Sequence, residues 1–241
     1  MALEALPDSS AAVVAKAAAG PMRRPTESVS EQTYQALLEL VTTRQIEPGD
    51  VIEERRLAER FEVSRTPMRA AISRLLGEGV LQQLSNGAIV VREVGLTEYL
   101  ELLAIRLLLE SEAASLAAAR APLPVLAKIE QRLEAALAEV LAAEAEGEPA
   151  ADRQLDDEIH EVVVAYCGNQ SLAKFIAEIH KRIRMRGLER APERLVPACH
   201  EHLALVRALL ARDAAAARQA MVDHLENVRS SYLRLAGILP R

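Results

Sequence analysis

The fold turns on one stretch: Leu57-Ala58-Glu59-Arg60-Phe61-Glu62-Val63-Ser64-Arg65-Thr66-Pro67-Met68-Arg69-Ala70-Ala71-Ile72-Ser73-Arg74-Leu75. A helix is expected from about Thr66 to Glu78, with Met68, Ala71, Ile72 and Leu75 on one face. Arg65, Arg69 and Ser73 recur every fourth residue and fall on the opposite face. The apolar face fixes such a helix to its domain, which leaves the arginine face either simply solvated, as most such stripes are, or able to enter a DNA major groove. Pro67 suits the first helical turn, where its missing N–H costs little, and Ser64 or Thr66 can cap that end. The exposed amides there also suit a phosphate.

The neighbouring segments complete a known arrangement. A short helix from about Glu54 to Phe61 precedes the arginine helix, and Gly79 closes the latter. Further upstream, Ser28 to Thr43 has helical periodicity, with Val29, Tyr34, Leu37, Leu38 and Val41 near one face and Ser28 and Glu31 spaced as a capping box. Between these helices Ile46-Glu47-Pro48-Gly49-Asp50 reads as a turn. Downstream, Val80 to Leu84 and Ala88 to Val91 are strand-like, joined by the turn residues Ser85-Asn86-Gly87. Three helices and a hairpin in so short a span make a winged helix-turn-helix.

From Leu96 onward no strand pattern is present, and six or seven amphipathic helices fit. Breaks fall near Ala121-Pro122-Leu123-Pro124, Glu146-Gly147-Glu148-Pro149, Gly168-Asn169 and Ala191-Pro192 to Pro197. Residues 125–145 are too short to sustain a coiled coil and read as a bundle helix. The expected fold is mainly α: a winged helix-turn-helix of three helices and a β-hairpin wing, followed by an all-α antiparallel helical bundle. The expected organisation is a flexible arm over 1–26, a winged helix-turn-helix domain over 27–95 and an all-helical domain over 96–236. The arm carries a short basic piece, Met22-Arg23-Arg24-Pro25.

Composition limits the function. The 241 residues are half apolar and 27% charged, as in ordinary globular proteins, and only 2% are aromatic, which favours helices packed through small and aliphatic side chains. A net charge of −6 argues against coating nucleic acid through bulk charge, so any DNA-binding surface is a local patch. Only four Lys are present, and nearly all positive charge is Arg, the better residue for bidentate contacts to phosphate or guanine. Two cysteines, Cys167 and Cys199, in no CxxC spacing suggest no disulfide scaffold and a cytoplasmic, reducing setting. No apolar run reaches the roughly 20 residues of a membrane span, and the N-terminus lacks the pattern of a signal peptide.

Four residues of the C-terminal half suggest a metal site. Asp156 and His160 share a helix face. His202 lies in the stripe His202, Val206, Leu209, and His224 in the stripe Ala217, Met221, His224, Val228 of a last helix that Asp213 caps. Both histidines therefore point inward with apolar neighbours, where a polar group needs a partner. Three imidazoles and a carboxylate suit Zn, and also Ni, Mn or Fe. Hydrogen-bonded core histidines would give the same pattern without a metal. His180 and His200 fall off the pattern and read as surface residues, although His200 stands close enough to His202 to be a rival ligand.

The stretch from Leu57 to Leu75 resembles the signature of the GntR family of bacterial regulators, and the likeness covers most of residues 28–94. It implies DNA contacts at Arg55, Arg65, Thr66 and Arg69, with the wing at Asn86 and Gly87 reaching the minor groove. Ala70 departs from the family's usual Glu, with little expected effect on DNA binding. Asp156-x-x-x-His160, Cys167-Gly168-Asn169-x-x-Leu172, Glu201-His202, Asp213 and Met221-x-x-His224 resemble the FCD domain, the ligand-sensing domain of the FadR-type branch. Arg106, Glu110 and Glu112-Ala113-Ala114 fit its opening motif, and the likeness runs over about 97–235.

That resemblance implies a divalent metal held by Asp156, His160, His202 and His224, with a small carboxylic-acid effector beside it. Arg106 and Asn169 are candidates to contact the effector or support the ligands, and the direction of Arg184 and Arg186 stays open. The expected protein is a homodimeric repressor that reads a palindromic operator under effector control, with no membrane partner. The rival readings are an all-helical metalloenzyme with Asp157 or Glu161 as base, a purely structural metal, and a bundle that only dimerises.

Overall fold

Ser28 starts the first helix by accepting the Glu31 N–H on its hydroxyl oxygen at 3.2 Å. This is one half of the expected capping box. The other half does not form, because the Glu31 carboxylate accepts from Gln35 and Arg74 instead. The computed structural model describes residues 28–146, 153–186 and 192–239. The N-terminal arm with its basic piece, and the break at Gly147 to Pro149, lie outside the described residues.

Helix α1 spans Val29–Thr42 and buries Thr33, Tyr34, Leu37, Leu40 and Val41. The expected stripe is corrected at its start, since Val29 is exposed and Thr33 takes the inward place. Thr33 can do so because its hydroxyl donates to the Val29 carbonyl at 2.7 Å. Helix α2 is Glu54–Arg60 and α3 is Arg65–Gly77, and Gly79, at φ +68°, turns the chain out of α3. Strands β1 (Leu81–Gln83) and β2 (Ile89–Val91) pair antiparallel, Leu81 opposite Val91 and Gln83 opposite Ile89. Gly87, at φ +87°, and the Asn86 Oδ1 acceptor for the Ala88 N–H form the tip of this hairpin.

The C-terminal part holds six α-helices among the described residues: α4 (Leu96–Ala118), α5 (Leu123–Glu146), α6 (Arg153–Tyr166), α7 (Gln170–Arg186), α8 (Leu195–Leu210) and α9 (Ala214–Leu235). The chain divides into two units, residues up to 95 with 181–187, and 96–180 with 188–241.

The bundle is built on small side chains. Ala113, Ala114, Ala117 and Ala118 of α4 are fully buried, which lets α9 lie close along α4 through Ala217 and Met221. Leu126, Ile129 and Leu133 of α5 pack with Leu205, Val206 and Leu209 of α8 in the same core. Burying a side chain of that size contributes roughly 1.5–3 kcal/mol. Asp213 caps α9 as expected, accepting from Ala215 and Ala216 at 3.0 and 2.9 Å. In the turn before it, Arg212 donates to the Ala118 and Ala121 carbonyls, both at 2.8 Å, and so satisfies the last carbonyl of α4 and one in the turn that follows. At the other end of the pair, Tyr99 and Tyr232 meet edge to face at 4.7 Å, which fixes α4 and α9 as antiparallel neighbours.

Candidate metal centre and DNA-reading surface

Helix α3 holds its apolar stripe inward as the spacing requires, with Met68, Ala71, Ile72 and Leu75 no more than 4% exposed. Arg65, Thr66, Arg69 and Ser73 are therefore exposed. Arg65 and Arg69 share one anchor, Glu54 of α2. Arg65 Nε donates to its Oε1 at 2.9 Å, and Arg69 grips both oxygens from Nε and a terminal nitrogen at 3.1 and 3.0 Å. Both arginine side chains remain about two-thirds exposed, at 65% and 67%. Arg55 is more exposed still and pairs only loosely with Glu59. Asn86 and Gly87 are exposed at the hairpin tip. The side-chain cap expected from Ser64 does not form, although its backbone is extended as at a helix start.

The C-terminal unit buries a polar cluster inside its bundle. Asp156 and His160 come from α6, His202 from α8 and His224 from α9. One donor atom from each lies within 4.8 Å of all the others. The His202 and His224 rings are 4.4 Å apart between centroids, His160 and His224 5.2 Å, and His160 and His202 5.8 Å. Asp156 Oδ1 lies 3.1 Å from His202 Nε2. All three histidines are nearly out of solvent, the most exposed at 4%. Metal–ligand bonds of about 2.0–2.2 Å in a tetrahedral site place ligand atoms roughly 3.3–3.6 Å apart, so a closure of this set would fit a divalent ion. The donor set of three imidazoles and one carboxylate therefore fits the expected group.

Two of the histidines are oriented from behind by carboxylates. His160 Nδ1 faces Glu110 Oε2 at 2.8 Å, and His224 Nδ1 faces Glu201 Oε2 at 2.9 Å. Burial alone would push Glu110 up. The Arg106 guanidinium, with His180 and His160, outweighs it and holds the carboxyl well below its usual range. Burial likewise raises Glu201, yet hydrogen bonds from Arg194 and His224 bring it down to about 2. Both carboxylates are thus ionised acceptors, and each facing imidazole donates its Nδ1–H. A neutral ring so held carries its lone pair on Nε2, the nitrogen left for the cluster. Burial, outweighing the pull of Glu201, keeps His224 below the ordinary imidazole value and therefore neutral at pH 7.

Each carboxylate is in turn held by an arginine. Arg106 Nε and a terminal nitrogen donate to the two oxygens of Glu110. Arg194 forks onto Glu201 at 2.8 and 2.7 Å. Arg106 also approaches His160 Nδ1 to 3.4 Å, but a protonated Nδ1 cannot accept, so this is a contact and not a hydrogen bond.

Several expectations change. His180 is not a surface residue: its side chain is 11% exposed and its Nε2 lies 2.7 Å from Glu110 Oε1. His200 is exposed, as expected, and apart from the cluster. Asn169 is exposed, and its Oδ1 accepts the Leu172 N–H at 3.1 Å, so it caps α7 and does not line the cluster. Arg106 is brought to the cluster, through Glu110. Arg184 is half-buried in the segment grouped with the N-terminal unit, and the side chain of Arg186 lies outside the described residues. Of the two suggested bases, Glu161 is exposed and Asp157 half-buried. Among the described residues no helix is long and apolar enough to cross a membrane.

Two family models match the chain in succession. The model of "Bacterial regulatory proteins, gntR family" matches residues 29–91, and that of the "FCD domain" matches 101–227. The Nta operon transcriptional regulator of Aminobacter aminovorans is 33% identical over 159 residues, 65% of this chain and 72% of that protein. The HTH-type transcriptional repressor RspR of Escherichia coli K12 is 26% identical over 217 residues, 88% of this chain and 92% of its own. Among solved structures, E. coli McbR/YncC superposes with a TM-score of 0.70 at 22% identity, over 87% of this chain and 99% of that one, a likeness of fold. The chain belongs to the GntR family of transcription regulators, in the FadR-type architecture that joins the DNA-binding domain to a C-terminal FCD domain.

Proposed function

We propose that this regulator is a metal-dependent repressor, whose affinity for a palindromic operator is set by a small carboxylic acid held in the C-terminal unit. Asp156, His160, His202 and His224 would hold a divalent transition ion, with zinc the best fit to the imidazole-rich set. Such an ion would offer a Lewis-acidic position to a carboxylate oxygen.

The observation that carries this reading is the pair of arms behind the cluster. Arg106–Glu110 orients His160, and Arg194–Glu201 orients His224. A core histidine needs a partner too, but here two rings from different helices turn the same nitrogen to their carboxylates and leave the other for one shared cluster. The charges point the same way. Each arginine offsets its own glutamate, leaving Asp156 alone against a divalent ion. The centre would keep a positive charge that an organic anion neutralises. Arg106, joined to this network, remains the candidate for a direct contact to the effector.

At the other unit, Arg65, Thr66 and Arg69 of α3 would read base edges and phosphates, with Arg55 and the Asn86–Gly87 tip contributing flanking contacts. A homodimer would place two α3 helices in successive major grooves. Repression is favoured by the relative RspR, which is named a repressor. For control, the effector must bind one conformer more tightly, by about 1–3 kcal/mol in typical coupling.

The test uses full-length zinc-loaded and chelator-treated protein, titrated with a panel of small carboxylic acids by calorimetry and with operator DNA by fluorescence anisotropy. An acid that binds only zinc-loaded protein and changes operator affinity supports the reading. An acid that binds with no change in operator affinity removes the coupling. Zinc that raises the melting temperature without creating any acid-binding site assigns the metal a structural role.

A further inference from the structure

We propose that His180 is a positioning residue of the metal centre, holding the Glu110 carboxylate in the orientation that fixes His160. This rests on the reading of Asp156, His160, His202 and His224 as metal ligands. His180 stands on α7, outside the four-residue set. It reaches Glu110 Oε1 at 2.7 Å while His160 reaches Oε2 at 2.8 Å. An ionised carboxylate only accepts, so His180 donates from Nε2 and His160 from Nδ1.

Arg106 also binds both oxygens, but from the same helix, one turn before Glu110. It ties the carboxylate along α4 and leaves its tilt towards α6 to be set from elsewhere. His180 supplies that constraint from a third helix. The opposite arm is built alike. There Glu201 is gripped by Arg194, faces His224, and accepts from the Asn227 amide at 2.9 Å. In each arm a second donor thus holds the carboxylate beside its arginine, Asn227 from the helix of His224 and His180 from a helix of its own.

Glu110, His160 and His180 also bring donor atoms within 4.8 Å of one another, which poses a second cation subsite as the alternative. The Arg106 guanidinium on both Glu110 oxygens opposes it, since a second cation would sit against a fixed buried positive charge. His180 also packs edge to face on His160, at 5.8 Å and 86° between rings, so volume and hydrogen bond must be separated in the test.

The experiment compares the full-length wild type, His180→Phe and His180→Gln, each stripped of metal and titrated with cobalt(II) against a competing chelator. The visible cobalt spectrum and the melting temperature of each metal-free protein are recorded as well. Phe keeps a ring without a donor, and Gln keeps an amide donor without the ring. The expected result is cobalt affinity roughly tenfold to hundredfold lower in His180→Phe, with an altered spectrum, and recovery towards wild type in His180→Gln.

Wild-type affinity and spectrum in His180→Phe would overturn the inference and leave the metal reading standing. Equal losses in both variants, matched by equal falls in metal-free melting temperature, would reduce His180 to a packing residue. Two cobalt ions per wild-type chain, with one lost in both variants, would make it a ligand and not a positioning residue. A wild type that takes up no cobalt would overturn the metal reading and this inference with it.

Discussion

The two polar constellations of this protein are held in opposite ways. Arg65 and Arg69 lie about two-thirds exposed on α3, tied to Glu54 by hydrogen bonds that water and salt compete with. His160, His202 and His224 lie buried between helices, and each carboxylate behind them is gripped by an arginine. The first arrangement costs little to open, so the arginines can exchange Glu54 for DNA. The second cannot be opened without stranding charge in the core. Side chains held this loosely can be redirected towards a partner. On the proposed metal reading, ligands set in place before binding lower the cost of taking up the ion.

The largest effect should come from breaking a buried arm. Glu110→Ala leaves the Arg106 guanidinium buried without its counter-charge and should cost about 3–5 kcal/mol of stability, read by urea denaturation of the metal-free protein. A wild-type midpoint would show that the buried arm is no more tightly held than the exposed one. Arg69→Ala should do the reverse. Operator affinity should fall roughly tenfold or more through loss of a bidentate contact, while the denaturation midpoint stays at the wild-type value. A matching loss of stability would erase the contrast.

Acid separates the regions further. Glu201 titrates near 2 in the folded chain against an ordinary value of 4.5, so its stabilising contribution is complete above pH 4.5 and is lost as the pH falls from there towards 2. Metal-free wild type should therefore lose melting temperature more steeply over that window than Glu201→Gln. Parallel curves would remove Glu201 from the acid response. The smallest effect is expected at Glu54→Gln, which frees both arginines and removes a negative charge beside the DNA-reading face. Binding to operator and to unrelated duplex should tighten together by no more than about threefold, in the range of exposed ion pairs. Tightening on the operator alone would make Glu54 a determinant of sequence choice.

Sequence patterning exposed the exposed region almost completely, and the buried one in part. Met68, Ala71, Ile72 and Leu75 against Arg65, Arg69 and Ser73 is a division within one helix, and such periodicity survives folding. His202 and His224 were readable for the same reason, each lying in an apolar stripe of its own helix. Glu110 was readable only as part of a family motif, and its role depends on α4, α6 and α7 meeting, which no local pattern encodes.

His180 was misread because it falls off the pattern of the other histidines, although its side chain turns inward to Glu110. The spacing of Arg194 and Glu201 carried a hint, since they stand seven residues apart, about two helical turns. Asn169 follows the opposite logic. A Gly-Asn pair at a helix break more simply supplies an N-cap, and that is its place at the start of α7.

Metal content tests the central claim most directly. Purified untagged wild type should carry about one transition-metal ion per chain, absent from His202→Ala and His224→Ala while both variants stay folded. A wild type that holds no metal, even after incubation with zinc, nickel and manganese, would contradict the account of the buried centre and leave the DNA-reading surface untouched.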